Sequence, residues 1–236
     1  MKGNEEKKKQ HVRMTAEELN RYKFRRRLFT LLAAALAIAF VTIYAISAVY
    51  MVTGSFTVNV NKYEMVKYGL SLSEYADLSH SASVLNAQID HSITNIAEDD
   101  IPDNVDMIDG EHCGKNYIAY TFYVQNAGSV EVSYDYEIKM SGITNGLDEA
   151  IRLKLYVDGG EPVTYAKTKT DGSGAEPGTT EFYSATTVTR GRMESFKPQA
   201  QTKFTVVIWI EGNDPECIDW LIGGKMKLDM GIAIAH

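Results

Sequence analysis

The sequence has 236 residues, with 24 Lys and Arg against 31 Asp and Glu, which gives a net charge of -7 at neutral pH. The charge is unevenly distributed, because residues 1–27 carry 10 basic and 4 acidic side chains while the remainder is strongly acidic. An acidic body argues against nucleic acid as a partner. The sequence also lacks the glycine-rich motifs that bind nucleotide phosphates.

The stretch from Leu28 to Val52 contains 25 residues and no charge. A helix of that length measures about 37 Å, enough to cross a hydrocarbon core of about 30 Å with some tilt. Arg25, Arg26 and Arg27 precede the stretch, and no comparable basic cluster follows it. The positive-inside rule then predicts a basic cytoplasmic tail over 1–27, a transmembrane signal-anchor helix over 28–52 and an extracytoplasmic domain over 53–236.

A cleaved signal peptide is the alternative interpretation of this stretch. Ala45-Ile46-Ser47 has the small-x-small pattern of a cleavage site. Signal peptides have a shorter apolar region of about 7–15 residues, so an uncleaved anchor is the favoured interpretation. The predicted location is therefore the cell membrane, crossed once, with the N-terminus in the cytoplasm and the C-terminal domain outside.

Downstream of Gly54, apolar and polar residues alternate with a period of two, which is typical of half-buried strands. The strongest signal is Tyr117–Gln125 followed by Val130–Met140, and the turn-forming residues between them predict a hairpin with one solvent-facing side. A second hairpin is predicted around Asp158-Gly159-Gly160. Further strands are predicted over 55–60, 180–184, 186–193, 203–211 and 225–234, and short helices over 147–151 and 215–222. Eight or more short strands with frequent turns predict an all-β sandwich or barrel.

Four segments carry a resemblance to a known group of proteins. They are NYIAYTFYVQNAGS, EAIRLKLYVDG, FKPQAQTKFTVVIWIEGNDPEC and IGGKMKLDM. Together they resemble uncharacterised membrane-anchored extracytoplasmic proteins of Gram-positive, mainly clostridial, bacteria, and more distantly the TasA/camelysin fibre-protein family. The resemblance covers Gly54 to Met230 and implies a jelly-roll-like antiparallel β-sandwich, which TasA-type proteins carry behind a cleavable signal.

The most specific part of the resemblance is the run from Trp209 to Cys217, which places Glu211, Asp214 and Glu216 after a predicted strand. Acidic residues and proline are common at the turns between strands, because loops must stay solvated. The favoured interpretation is therefore a structural connection, and a chemical site is the alternative. Substitution of these acids is expected to affect folding or loop order before any turnover.

Calcium is the metal that the sequence supports best. The acidic run over 96–112 contains Asp99, Asp103, Asp106 and Asp109, and Ca²⁺ prefers carboxylate oxygens. The spacing does not match an EF-hand, so a solvated acidic loop is the favoured interpretation. Zinc has weaker support, because Glu111-His112-Cys113 lacks a second close pair of ligands and no HExxH motif is present.

The sequence contains two cysteines, Cys113 and Cys217, and both fall in the predicted extracytoplasmic domain. An oxidising compartment allows them to form a disulfide, and the alternative is a pair of small buried thiols.

The favoured function is a non-enzymatic, single-pass, membrane-anchored cell-envelope protein whose β-sandwich makes structural or binding contacts. Its expected partners are the lipid bilayer and either an envelope protein or further copies of itself. Two alternatives follow from the resemblance: a secreted TasA-like fibre subunit after signal cleavage, and a camelysin-like metal-dependent peptidase.

Overall fold

The computed structural model describes residues 16–49, 54–89 and 92–235. The chain divides into two compact units, Met1–Met51 and Val52–His236. The first unit contains helix α1 (Ala16–Val49), within which Asn20–Ile43 is long and apolar enough to cross a membrane. The predicted apolar helix is therefore confirmed. It begins upstream of the uncharged stretch, and residues 1–15 and 50–53 of the predicted tail, anchor and junction lie outside the described residues.

The described part of the second unit consists mainly of twelve strands. They are β1 (Gly54–Val60), β2 (Leu70–Ser73), β3 (Val84–Ile89), β4 (Gly110–Glu111), β5 (Tyr117–Asn126), β6 (Val132–Ser141), β7 (Ile151–Val157), β8 (Val163–Ala166), β9 (Thr180–Glu181), β10 (Thr187–Phe196), β11 (Gln201–Ile210) and β12 (Met226–Ile234). Helix α2 (Lys62–Tyr68) follows β1, and single 3-10 turns lie at Glu98–Asp100, Val105–Met107, Leu147–Glu149 and Asp219–Leu221.

The strands form two sheets. The first has the order β10-β6-β12-β1-β3, and the second has the order β2-β5-β11-β7-β8-β9, with β4 also paired to β5. Most neighbours are antiparallel, but β1 runs parallel to β12, and β8 runs parallel to β9. The prediction of a purely antiparallel sandwich is therefore wrong at these two pairs. The physical reason is that β1 and β12 are far apart in sequence, so no tight turn constrains their relative direction.

The two sheets pack face to face across one apolar core. Phe56 of β1 contacts Tyr120 and Phe122 of β5, with ring centroids 6.2 and 6.5 Å apart. Tyr136 of β6 meets Phe204 of β11 edge-on at 5.2 Å. Since each of these contacts joins the first sheet to the second, the domain is a β-sandwich.

The predicted hairpin between Tyr117–Gln125 and Val130–Met140 is wrong, because β5 and β6 belong to different sheets. The connection is held by Asn126, whose Nδ2 donates to the carbonyl oxygens of Val130 and Phe196, each at 2.8 Å. Alternation correctly identified both strands, but it contains no information about which strand each one pairs with. The second predicted hairpin is confirmed, since β7 and β8 pair in antiparallel register from Arg152↔Ala166 to Leu155↔Val163.

Strand β11 is buried on both of its faces. One face contributes to the core between the sheets, and the other is covered by the segment before β4. Ile101 and Val105 of that segment pack against Ala119, Val207 and Trp209. This outer layer explains why the alternating pattern disappears over the second half of β11.

Candidate functional site

The run Trp209–Cys217, here called the acidic corner, leaves the end of β11 and is fixed by backbone hydrogen bonds on two sides. Ile96 donates its amide to Ile210 O at 3.0 Å and accepts from the Gly212 amide at 2.8 Å. The Glu211 amide donates to Ala150 O at 2.8 Å. The corner is therefore an ordered connection, held against the segment before β4 and against the start of β7.

A buried ion pair lies behind the corner. The Arg152 guanidinium on β7 donates to the Asp214 carboxylate, and the two side chains are 3% and 1% exposed. Asp214 also accepts from the Glu216 amide at 2.8 Å. Charges this far from water are stable only when they are paired and hydrogen-bonded, so Asp214 compensates Arg152 and also shapes the turn.

The other two acids of the corner are also engaged. Glu211 accepts from the Trp209 indole at 2.9 Å and from the Asn213 amide at 3.0 Å. Glu216 accepts from the Thr170 amide at 2.5 Å. Each of the three carboxylates therefore has a partner that orders the loop, which supports the structural interpretation of the corner.

A polar cleft of about 250 Å³ opens beside the ion pair, lined in part by Arg152, Glu98 and Glu176. Lys154 pairs with Glu98 at 2.9 Å, and Lys169 pairs with Glu176 at 3.2 Å. Glu176 Oε1 is buried and has no hydrogen-bond partner among the described residues. The cleft is small, and its carboxylates Glu98 and Glu176 each form an ion pair with a lysine.

The four calcium candidates are not assembled into a site. Asp109 accepts from the Tyr123 hydroxyl at 2.6 Å, while the backbone carbonyl of Asp106 accepts from Lys203. Across residues 16–49, 54–89 and 92–235, no three His, Cys, Asp or Glu side chains, Asp99 and Asp103 included, are grouped so that they could hold a metal ion. The hydroxyl of Tyr123 has its pKa raised to about 12, by burial and then by Asp109.

In the partial zinc motif Glu111-His112-Cys113, the histidine side chain also makes other contacts. His112 places Nδ1 2.9 Å from Gly110 O and Nε2 2.7 Å from Val105 O. With both ring nitrogens facing carbonyl oxygens, the imidazole has no lone pair directed at an open position. In this arrangement the His112 side chain holds the loop before β5.

Cys113 and Cys217 are both free thiols in the structure, which is the second of the two arrangements that the sequence leaves open. Burial raises the pKa of Cys113 to about 11, and Glu111 contributes to the shift. Burial also raises the pKa of Cys217, with a smaller contribution from Asp214. Because the thiolate is the reactive form, protonated thiols of this kind are poor nucleophiles at neutral pH.

An apolar groove of about 600 Å³ lies next to the acidic corner, and sequence reasoning missed it. Its walls include Ile93 and Leu147 together with the residues that follow Cys217. The segment Ile218–Ile222, here called the apolar loop, exposes Ile218, Trp220 and Ile222 to solvent. The signal in the sequence was the run CIDWLIGG, which contains too many large apolar residues for an ordinary surface turn.

Arg25, Arg26 and Arg27, the predicted flank of the membrane anchor, lie within α1 and have exposed side chains. They therefore form a compact positive cluster on the helix, immediately before its uncharged part.

No protein-family model matches the sequence. No curated protein matches it significantly. Among solved structures, a β-glucosidase from Kluyveromyces marxianus in complex with glucose is similar over 71% of this chain and 15% of that chain, with 11% identity and a TM-score of 0.24. A likeness this weak carries no argument about function, which must be inferred from the geometry of the domain itself.

Proposed function

We propose that this chain is a non-catalytic, single-pass cell-envelope protein, in which α1 anchors a β-sandwich that makes structural or binding contacts. The observation that carries the proposal is the helix: Asn20–Ile43 has the length and composition of a membrane span, and none of its most apolar window is buried within the structure. A helix exposing this much apolar surface requires a nonpolar environment, and lipid supplies one.

The orientation follows from charge. Arg25, Arg26 and Arg27 precede the uncharged part of α1, and the positive-inside rule assigns such a cluster to the cytoplasmic side. The β-sandwich then lies outside the cell, as it does in the Gram-positive envelope proteins that the sequence resembles. A jelly-roll-like connection of the strands belongs to the same proposal.

The non-catalytic part of the proposal rests on how the polar groups are used. Asp214 balances Arg152, Glu211 holds the Trp209 indole, and His112 binds two backbone carbonyls. These groups, the best candidates for chemistry in the sequence, are engaged in holding loops. A metal-dependent peptidase therefore ranks below a structural or binding protein.

A fibre subunit ranks second for a structural reason. Strand addition between copies would require the segment Gly54–Val60 to leave its own domain. In the structure this segment is β1, which is hydrogen-bonded to β12 on one side and to β3 on the other. Exchange between copies would have to break both ladders first.

The proposal is tested by labelling cysteines with a membrane-impermeant maleimide in intact cells. In a chain carrying Cys113→Ala and Cys217→Ala, the exposed Ser81→Cys on the β-domain should be labelled, while Asn20→Cys on α1 should be labelled only after permeabilisation. Labelling of Asn20→Cys alone in intact cells would reverse the topology. An intact mass lacking the first 47 residues, measured on the mature protein, would refute the uncleaved anchor.

A further inference from the structure

The apolar loop displays three large side chains to solvent between β11 and β12. Ile218 is 60% exposed, Trp220 is 73% exposed and Ile222 is 76% exposed, whereas Leu221 in the same loop is only 8% exposed. Leu221 anchors the loop in the core. The exposure of the three side chains is therefore not a consequence of a disordered chain, because one residue of the loop is fixed inside the domain while its neighbours face outwards.

Hydrogen bonds fix the backbone of the apolar loop. The Leu221 amide donates to Ile218 O at 3.0 Å, and the Gly224 amide donates to Leu221 O at 2.8 Å. From the neighbouring loop, Asn145 Nδ2 donates to Ile222 O at 3.0 Å. An ordered loop that keeps Ile and Trp side chains in water without collapsing over them is typical of a contact surface.

The apolar loop lies at the end of the sandwich where the chain enters the domain. Gly54, the first residue of β1, pairs with Met226, the first residue of β12 after the loop. Gly54 lines a small apolar cavity that shares Ile93 and Leu147 with the groove beside the loop. The loop and the start of β1 therefore belong to the same end of the domain.

Covalent geometry keeps this end near the lipid if the chain is anchored as proposed. The uncharged stretch ends at Val52, two positions before Gly54. Two residues span at most about 7 Å. The headgroup layer adds about 5–7 Å on each side of the hydrocarbon core, so a span that uses the whole uncharged stretch places Gly54 close to the outer boundary of that layer.

We propose that the apolar loop inserts into the headgroup region of the same bilayer that holds the anchor, with Trp220 at the interface. This inference rests on the proposed function, since it needs the anchor. Trp is favoured at membrane interfaces because its ring is amphipathic, and Ile218 and Ile222 supply the apolar surface on either side of it. The domain is acidic overall, so burial of apolar surface drives the contact and attraction to lipid charge does not.

The experiment uses the full chain in vesicles of phosphatidylcholine with bromine on the acyl chains of both leaflets, so that either orientation can be read. The chain has two tryptophans. Trp209 is 0% exposed in the protein core, whereas Trp220 is exposed on the loop. Brominated lipid should quench wild-type emission, and Trp220→Phe should abolish that quenching and leave only the buried indole.

A matched control places an indole at the opposite end of the domain. Tyr63 on α2 is 65% exposed, and α2 lies beside the far end of β12, since the Ile234 amide donates to Glu64 at 3.1 Å. In the Trp220→Phe chain, Tyr63→Trp should be quenched by aqueous iodide and not by brominated lipid. Equal lipid quenching of the wild type and Trp220→Phe, or iodide quenching of Trp220 in vesicles, would overturn the inference.

Flotation of the same vesicles tests the proposed membrane anchor separately from the insertion of the apolar loop. A chain that floats after alkaline extraction while Trp220 remains accessible to iodide refutes the insertion of the loop and leaves the anchor in place. A chain that does not float refutes the anchor, and the inferred insertion is then refuted with it.

Discussion

Arg152 and Asp214 are 62 residues apart in sequence and form an ion pair in the interior of the domain, with side chains 3% and 1% exposed. Through this pair the acidic corner is attached to β7. Removal of one partner leaves a buried charge uncompensated, which costs more free energy than the intact pair contributes.

Substitution Asp214→Asn is therefore expected to lower the free energy of unfolding by about 3–5 kcal/mol. The measurement is urea unfolding of the full chain in detergent micelles, followed by tryptophan fluorescence. Asp219→Asn is the matched control, because Asp219 is an exposed acid just after the same corner, and it should change stability by less than about 0.5 kcal/mol. Equal effects of the two substitutions would show that the ion pair does not stabilise the corner.

Two glycines with positive φ allow the cost of steric crowding to be measured apart from the cost of backbone strain. Gly69 has φ +75, and a Cβ built there lies 2.3 Å from the Gly128 amide nitrogen. Gly159 has φ +67, with nothing within 4 Å of its Cβ position. We expect Gly159→Ala to cost about 1–2 kcal/mol from strain alone and Gly69→Ala to cost about 2–5 kcal/mol, measured by urea unfolding. Equal losses would mean that the Gly69–Gly128 contact can relax freely.

The thiol of Cys113 predicts a loss of stability in alkali. Its pKa rises from 9.0 to about 11, with burial as the largest cause. Because the folded state holds the proton more tightly than the unfolded state, the stabilisation is complete below pH 9.0 and is lost as the pH rises towards about 11. After allowance for partial exposure, the loss is of the order of 1 kcal/mol.

Unfolding of the wild type and Cys113→Ala under reducing conditions checks this prediction, because the comparison cancels the titration of other groups. The stability advantage of the wild type should shrink by about 1 kcal/mol between pH values on either side of this window. An advantage that stays constant across the window would show that Cys113 titrates normally in the folded domain.

Calcium should leave the domain unchanged, because the acidic run does not assemble three carboxylates around one point within the described residues. Thermal unfolding with added Ca²⁺ and with a chelator should coincide. A site filled at a hundred times its dissociation constant would instead raise the free energy of unfolding by about 2.7 kcal/mol. A stabilisation of that size, lost in Asp109→Asn, would restore the calcium hypothesis.

The sequence predicts individual strands well where one face is apolar and the other polar. Residues 132–140 alternate cleanly, and they form β6 with its even-numbered residues towards the core. The hairpin of β7 and β8 around Gly159 is also predictable, because a tight turn determines the partner of each strand. The connection after Asn126 looks the same in sequence, yet the side chain of Asn126 bonds Phe196 far along the chain and the next strand joins the other sheet.

Candidate-site residues were harder to predict, because their roles depend on distant partners. Arg152 alternates with Leu153 in a strand that reads as half-exposed, but it is buried because Asp214 lies opposite it. His112 reads as a possible metal ligand, but its ring is held by the carbonyls of Gly110 and Val105. Neither contact can be read from local spacing, because both are created when the loops fold over the sheets.

The parallel pairing of β1 with β12 determines how the domain bears tension. Seven consecutive residues of β1 are in register with β12, from Gly54 opposite Met226 to Val60 opposite Ile232. Because the strands are parallel, the start of β1 and the end of β12 lie at opposite ends of the shared ladder. A pulling force between these points loads the ladder hydrogen bonds in shear and all together, whereas an antiparallel pair pulled from the same two positions would unzip one bond at a time. The β1–β12 ladder is therefore arranged to resist, in shear, a force that pulls these two points apart.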